Sequence, residues 1–372
     1  MKKREKQNFI DWFLSSDAAT SVLVVILGFL VATILVLLVG RNPSGLFKSI
    51  FQSIIGKANK NGTWNFRNVG ETLAYSIPYV LCGLSMGFAA RVGLFNIGAE
   101  GQYAMGMIAA QAIAVCIPSF RGQWLLCLLV SVIAGALWGG IVGILKAKFK
   151  VSEVVATIML NYIALYLSRL IAFQMPAGTI NKTYQTAPIQ AGAFLHKFLI
   201  SSSNLNIGFF FMIAACLIYS FIMEKTKLGF GLRATGYNKD AARCSGINDT
   251  RAISLSMAIS GAFAGLAGAC VLLGGAYTTG RIIQGQDNYG FMGIAVALVG
   301  NSKALGIFLA GLLFGVLKQA QSIMQGMDIP KEITFIIQGL IVIFIALRSG
   351  LALVREYRAK KLVRREEEVA KC

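Results

Sequence analysis

The chain has 372 residues, 56% of them hydrophobic and only 14% charged, with a formal net charge of +19. Uncharged apolar runs recur along it, and roughly twenty apolar residues in a helix cross the ~30 Å hydrocarbon layer. A β-barrel is excluded because alternating strands are absent, and the positive charge reads as cytoplasmic loops meeting anionic lipid, not as a nucleic-acid surface.

A basic leader, residues 1–17 with Lys2, Lys3, Arg4 and Lys6, precedes an expected first span at 18–39. No cleavage site follows a short apolar core, so this run is expected to remain as a span. A long polar loop follows at 40–70. Span two is expected at 72–90, interrupted by Pro78, and Arg91 marks a tight turn. Span three covers 93–117 and carries one acid, Glu100. Span four covers 123–145 and ends in Lys146, Lys148 and Lys150. Span five covers 154–175, with Arg169 near its far end.

A second polar loop covers 176–206, and span six 207–223. A polar island then runs over 224–251, with six bases against three acids. Span seven is expected at 252–277; its core, SGAFAGLAGAC, is rich in small residues that let helices approach closely. Short spans eight and ten, at 288–300 and 333–347, flank span nine at 305–324, which holds Lys318. These last spans are short enough to be half-helices or re-entrant elements. Arg169 and Lys318 are expected to snorkel to the outer interface. The tail, 348–372, is charged.

The expected fold is therefore an all-α polytopic membrane protein of about ten transmembrane helices, with the membrane domain at 18–347. Ten spans put both termini on one side. Loops on that side hold 23 bases and loops on the other hold 10, which places the island and both tails in the cytoplasm. Spans two to five and seven to ten would then form two groups of opposite orientation, possible inverted repeats of the kind transporters use.

Seven cysteines show no CxxC spacing, and the sole histidine, His196, lies in a loop. Neither a disulfide framework nor a metal site is expected. No phosphate-binding GxxxxGK[ST] loop occurs, and GNSKALG at 300–306 lacks its spacing. No nucleophile and base pair stands out.

Two stretches carry chemistry. In GLFNIGAEGQ (93–102), Asn96, Glu100 and Gln102 fall within a glycine-rich span. Asn96 and Glu100 are four residues apart and would share a helix face. Asn161 and Tyr162 lie in the middle of span five. Polar groups in lipid face protein or water, so two roles are open for all five: lining a transport path or its gate, and hydrogen bonding between helices. The second stretch is the island. Residues 238–245 suit a short helix, with Asn238 as N-cap, Asp240 in the first turn and Gly246 ending it. It would dock on a soluble partner or on lipid headgroups.

GLFNIGAEGQ, followed by LRATGYNKDAARCSGIN, closely resembles the permease subunits of bacterial ATP-binding-cassette importers, in the group for nucleosides and simple sugars that includes ribose and branched-chain amino acid permeases. The likeness runs from span two to span ten. It implies a type II, cobalamin-importer-like permease in the cell membrane. It also implies a second homologous permease (a heterodimer), an extracellular substrate-binding lipoprotein and a cytoplasmic ATPase that holds ATP and Mg. The chain itself would carry no cofactor and no catalysis. Gly236, Asn238, Asp240, Ala241, Ala242 and Gly246 match the family's coupling motif, with Asp240 where Glu is commoner. The resemblance points to nucleosides, then to simple sugars. An ion-coupled secondary transporter, with Glu100 as its titratable group, is the alternative from another class.

Overall fold

The computed structural model describes residues 17–38, 40–58, 64–177, 185–200, 202–327, 329–330 and 332–343. The expectations for the leader before residue 17 and for the tail lie outside the described residues. The chain divides into two units, one of residues 1–46 and 324–372, the other of residues 47–323.

In the first unit, α1 (Asp17–Leu38) supplies span one. Gly28 lies against the side chain of Ile341 in the short apolar helix α13 (Glu332–Ile343). Ile333, Ile337 and Ile341 recur at helical spacing and are all buried. α2 (Ser44–Ile55) runs from this unit into the next, so the expected polar loop at 40–70 contains a helix. Its Leu46, Ser49 and Ser53 share one buried face while Phe47, Phe51 and Ile54 stay exposed, a two-sided pattern that sequence inspection scored as polar. A two-residue hairpin, β1 (Lys57–Ala58) with β2 (Trp64–Asn65), follows it.

The second unit holds the main bundle. Its elements are α3 (Arg67–Ala90), α4 (Ala99–Cys116), α5 (Gln123–Phe149), α6 (Glu153–Phe173), β3 (Gln185–Pro188), α7 (Gly208–Lys225), α8 (Lys227–Tyr237), α9 (Lys239–Cys244), α10 (Asp249–Leu273), β4 (Thr279–Arg281), α11 (Tyr289–Val299) and α12 (Ala304–Gln325), the last ending in the other unit. Among the described residues, six helices are long and apolar enough to cross a membrane: α3, α5, α6, α7, α10 and α12. α11, at 11 residues, is too short to do so alone, as its span suggested.

Burial separates centre from rim. About three quarters of the apolar windows of α3 and α10 are buried, 78% and 72%, against 28–33% for α5, α6 and α7. Helices at the rim leave their Leu, Ile and Phe outside, as lipid-facing helices do. α10 reaches the centre because of its glycines. Gly261 and Gly265 lie against the backbone of Gly135 and Ser131 on α5, and Gly265 also meets Gly106 on α4. A Cβ at any of these positions would overlap main chain, so the small-residue run makes a backbone-to-backbone seam.

Three further expectations change. Pro78 does not interrupt span two; α3 is continuous through it, because packing on α11 and α12 holds the turn that lost a hydrogen bond. Span three is helical only from Ala99. Residues 93–98 are an irregular lead-in, so Asn96 and Glu100 do not share a helix face. The second polar loop contains β3, which pairs antiparallel with β4.

Candidate functional site

Asn96 sits in the irregular lead-in, where its Oδ1 accepts from Gly98 N at 3.0 Å and so bends the chain into α4. Its Nδ2 lies 2.6 Å from Ser260 Oγ on α10, 2.9 Å from Gln102 Oε1 on α4 and 3.2 Å from Ser85 Oγ on α3. Ser260 Oγ in turn lies 2.6 Å from the Ser85 carbonyl. All four side chains are buried. One amide thus joins three helices at a depth where an unpaired polar group is costly.

Glu100 is the second residue of α4. Its two carboxylate oxygens accept from Asn288 N at 2.8 Å and Gly290 N at 2.7 Å. It therefore caps α11, where the exposed N–H groups and the helix dipole favour an anion. Gly290 is needed for this approach, since a Cβ there would lie 2.5 Å from the Cα of Glu100. Asn161 ties α6 to the same turn, accepting from Gly101 N at 2.8 Å and donating to the Ile97 carbonyl at 3.0 Å. Glu100 and Asn161 share the lining of a cavity of only about 10 Å³ with Gln286 and Asp287. That is the size of one water at most, so these groups bind one another's helices here and leave no room for a solute.

Tyr162 is not part of this group. It faces outward from α6 with 52% of its surface exposed. Arg169, expected to snorkel to the outer interface, donates Nε to the Ile283 carbonyl at 2.5 Å and Nη2 to the Gln284 carbonyl, in the segment between β4 and α11. Lys318 Nζ lies 3.3 Å from Gln321 Oε1 on its own helix.

Several residues that sequence inspection missed complete the network. Arg281 binds Asp287 through two hydrogen bonds of 2.7 and 2.9 Å, and Tyr103 donates its hydroxyl to Asp287 Oδ2 at 2.9 Å. Burial alone would lower the pKa of Arg281, but the hydrogen bond and charge of Asp287 raise it above the ordinary arginine value. Gln111 clamps the Arg281 backbone on both sides, with contacts of 2.8 and 3.0 Å. The available signal was an Arg and an Asp six residues apart between two apolar spans.

At the opposite end of the bundle, the island is a chain of capped helices. Thr226 caps α8 by accepting from Gly229 N, Asn238 caps α9 by accepting from Asp240 N and Ala241 N, and Asn248 caps α10 by accepting from Arg251 N. The expected helix at 238–245 is present as α9, Asn238 is its N-cap, and Gly246 ends it at φ +82°. α8, directly before it, was not expected. Ala242 faces inward and anchors α9; Asp240 and Ala241 face out. Tyr237 beside them is 93% exposed. Arg243 donates to Asp249 at 2.7 Å, and that bond raises the Arg243 pKa.

The island is tied to the bundle at one turn. Glu224 pairs with Arg91 at 2.6 Å and with Arg233 at 2.9 Å. Gly236 packs on the main chain of Arg91–Gly93, where a Cβ would come within 2.7 Å of the Val92 carbonyl carbon. That turn leads directly into Asn96.

The model of a family described as branched-chain amino acid transport system / permease component matches residues 68–346. The chain is 38% identical to the nucleoside ABC transporter permease protein NupB of Lactococcus lactis subsp. cremoris, over 87% of this chain and 89% of that protein. It is 36% identical to the guanosine ABC transporter permease protein NupP of Bacillus subtilis, over 93% and 98%. It is 33% identical to the glucose ABC transporter permease protein TsgB13 of Haloferax volcanii, over 74% and 75%. No solved structure matches. Apolar spans packed through a glycine seam, an exposed capped helix at one end and a family match across three quarters of the chain agree: the protein is a membrane-embedded permease subunit and belongs to the branched-chain amino acid transport system / permease component family.

Proposed function

We propose that the chain is the permease of an ATP-binding-cassette importer for nucleosides, with ten spans in the type II arrangement and both termini in the cytoplasm of a bacterial cell. The observation that carries this reading is α9. It is a six-residue helix, capped at its start, turned sharply at its end, with Asp240, Ala241 and Tyr237 presented outward. A charged, aromatic-flanked helix held this rigidly suits a protein partner, and a cytoplasmic ATPase carrying ATP and Mg is that partner. The names of the NupB and NupP relatives support the nucleoside substrate. Separate relatives named NupC in L. lactis and NupQ in B. subtilis, at 26% and 29% identity, support a second, homologous permease beside this one. An extracellular binding lipoprotein would deliver the solute.

The ties of the island suggest how movement travels. Displacing α9 moves α8, Gly236 pushes on Arg91–Gly93, and that turn carries Asn96 and the start of α4. The Asn96, Gln102, Ser85 and Ser260 bonds and the Glu100 cap on α11 are then the contacts that must rearrange for a path to open. Asn96, Glu100, Gln102 and Asn161 act in this reading as a gate, holding helices together in the closed state. Tyr162 would face the second permease.

A second reading is supported by the glucose permease relative: a simple-sugar importer of the same architecture. One experiment separates the readings. Labelled nucleosides and sugars are offered to cells lacking this chain, with and without it restored. The expected result is restored nucleoside uptake, blocked by vanadate and not by a protonophore. Restored uptake of sugar alone establishes the second reading. Uptake stopped only by the protonophore overturns the ATP-driven mechanism.

A further inference from the structure

The cavity beside Glu100 is too small for a solute, so a solute entering the bundle needs other polar surface. A cavity of about 140 Å³ offers it, at the end where α3 and α7 begin and α10 stops. That end is opposite α9, since Arg91 at the far end of α3 pairs with Glu224 at the far end of α7. The cavity is lined by Glu71 and Tyr75, one helical turn apart on α3, by Asn204 and Asn206 of the preceding loop, and by Tyr277 and Tyr289.

Among the amide and phenol groups of the wall, Glu71 is the one carboxylate. Asn206 is fully used: its Nδ2 donates to the Asn204 and Gly274 carbonyls and its Oδ1 accepts from Gly208 N. It builds the wall. Among the described residues Glu71 accepts only from Asn204, at 3.2 to 3.3 Å. Those bonds are long for a carboxylate, which has about four acceptor positions. Ala74 and Pro78 lie beside Glu71 in the lining and leave its two oxygens facing small, apolar neighbours. Arg281 sits 4.4 Å from the centre of the Tyr277 ring and holds that ring in place. The site therefore offers acceptors at its edge and aromatic faces at its sides.

Size narrows the occupant. An apolar cavity of about 150 Å³ holds one benzene, so this one takes a ring and not a whole nucleoside. We propose that the cavity is an entry site that takes a nucleoside base first, with the ring against Tyr75 and Tyr277, its N–H edge on the two oxygens of the Glu71 carboxylate, and the sugar left at the mouth. The two carboxylate oxygens select a base edge with adjacent N–H donors. Guanosine has such an edge; adenosine interposes an acceptor nitrogen. This inference rests on the nucleoside reading above.

The test is initial-rate uptake of labelled guanosine and adenosine by cells whose only copy is wild type, Glu71→Gln, Tyr75→Ala or Ala74→Leu, with the amount of chain in the membrane measured in each. Glu71→Gln keeps the shape and replaces one acceptor by a donor. It is expected to raise KM for guanosine on the order of tenfold and to change KM for adenosine far less. Tyr75→Ala removes a stacking face and is expected to raise KM for both nucleosides about tenfold. Ala74→Leu fills the cavity and is expected to abolish saturable uptake at normal abundance. Guanosine KM within twofold of wild type in Glu71→Gln and Tyr75→Ala overturns the site and leaves nucleoside transport standing. An equal loss of both nucleosides in Glu71→Gln overturns the base-edge role. Sugar uptake without nucleoside uptake by the wild-type chain overturns the substrate reading and this site with it.

Discussion

Two polar regions of this chain, the Asn96 cluster and α9, answer the same physical problem in opposite ways. Around Asn96 every polar side chain is buried and bonded to another helix. On α9 the caps satisfy the backbone, and the side chains of Asp240 and Ala241 are left outward. In hydrocarbon a polar group must find protein, so it becomes glue between helices. In water the same kinds of residue shape the backbone and leave a surface for a partner. Polarity inside a membrane span therefore marks a joint more readily than a ligand site.

Three substitutions break or sharpen this contrast. The largest effect belongs to the seam beneath the buried cluster. Gly265→Leu puts a branched side chain where a Cβ already overlaps the Ser131 carbonyl. The chain is expected to lose most of its membrane abundance on immunoblots of isolated membranes, and normal abundance would show that α5 and α10 are not held together there. Next is Ala241→Arg on the outward face of α9. Uptake is expected to fall more than tenfold while abundance and the thermal midpoint of the purified chain stay unchanged, because only a partner would meet the added charge. Unchanged uptake would remove α9 from the coupling surface. The smallest is Asn96→Ala, which leaves Ser260 and Gln102 short of a partner and should cost about 1–3 kcal/mol, read as a lower thermal midpoint in detergent. A midpoint equal to that of wild type would mean the cluster is not a joint.

The caps were legible in the sequence for a plain reason. Asn238 followed by a charged first turn and Gly246 is a local signal, and no distant residue has to be known to read it. The roles of Glu100 and Asn161 were not legible. Their partners are backbone N–H and carbonyl groups at 288, 290, 101 and 97, and all four lie in irregular segments or the first turn of a helix whose placement depends on other helices. Asn96 and Glu100 looked like one helix face because spacing assumes helix, and Gly93 at φ +72° had already turned the chain. Arg281 and Asp287 escaped notice because their value lies in the pairing with Tyr103, 184 residues away from Asp287.

By itself the sequence determined the class, the position of most spans and the capped helix of the island. Each follows from local quantities: the length of an apolar run against the bilayer, and a side-chain acceptor beside an unpaired N–H. Only the tertiary structure decided which helices lie at the centre, which polar groups are joints and where an open polar cavity remains. Those depend on which backbones come close enough to touch, and in a membrane that is set by glycine-to-glycine contact and hydrogen bonding across helices, not by hydropathy, which is nearly the same for α10 at the centre and α6 at the rim.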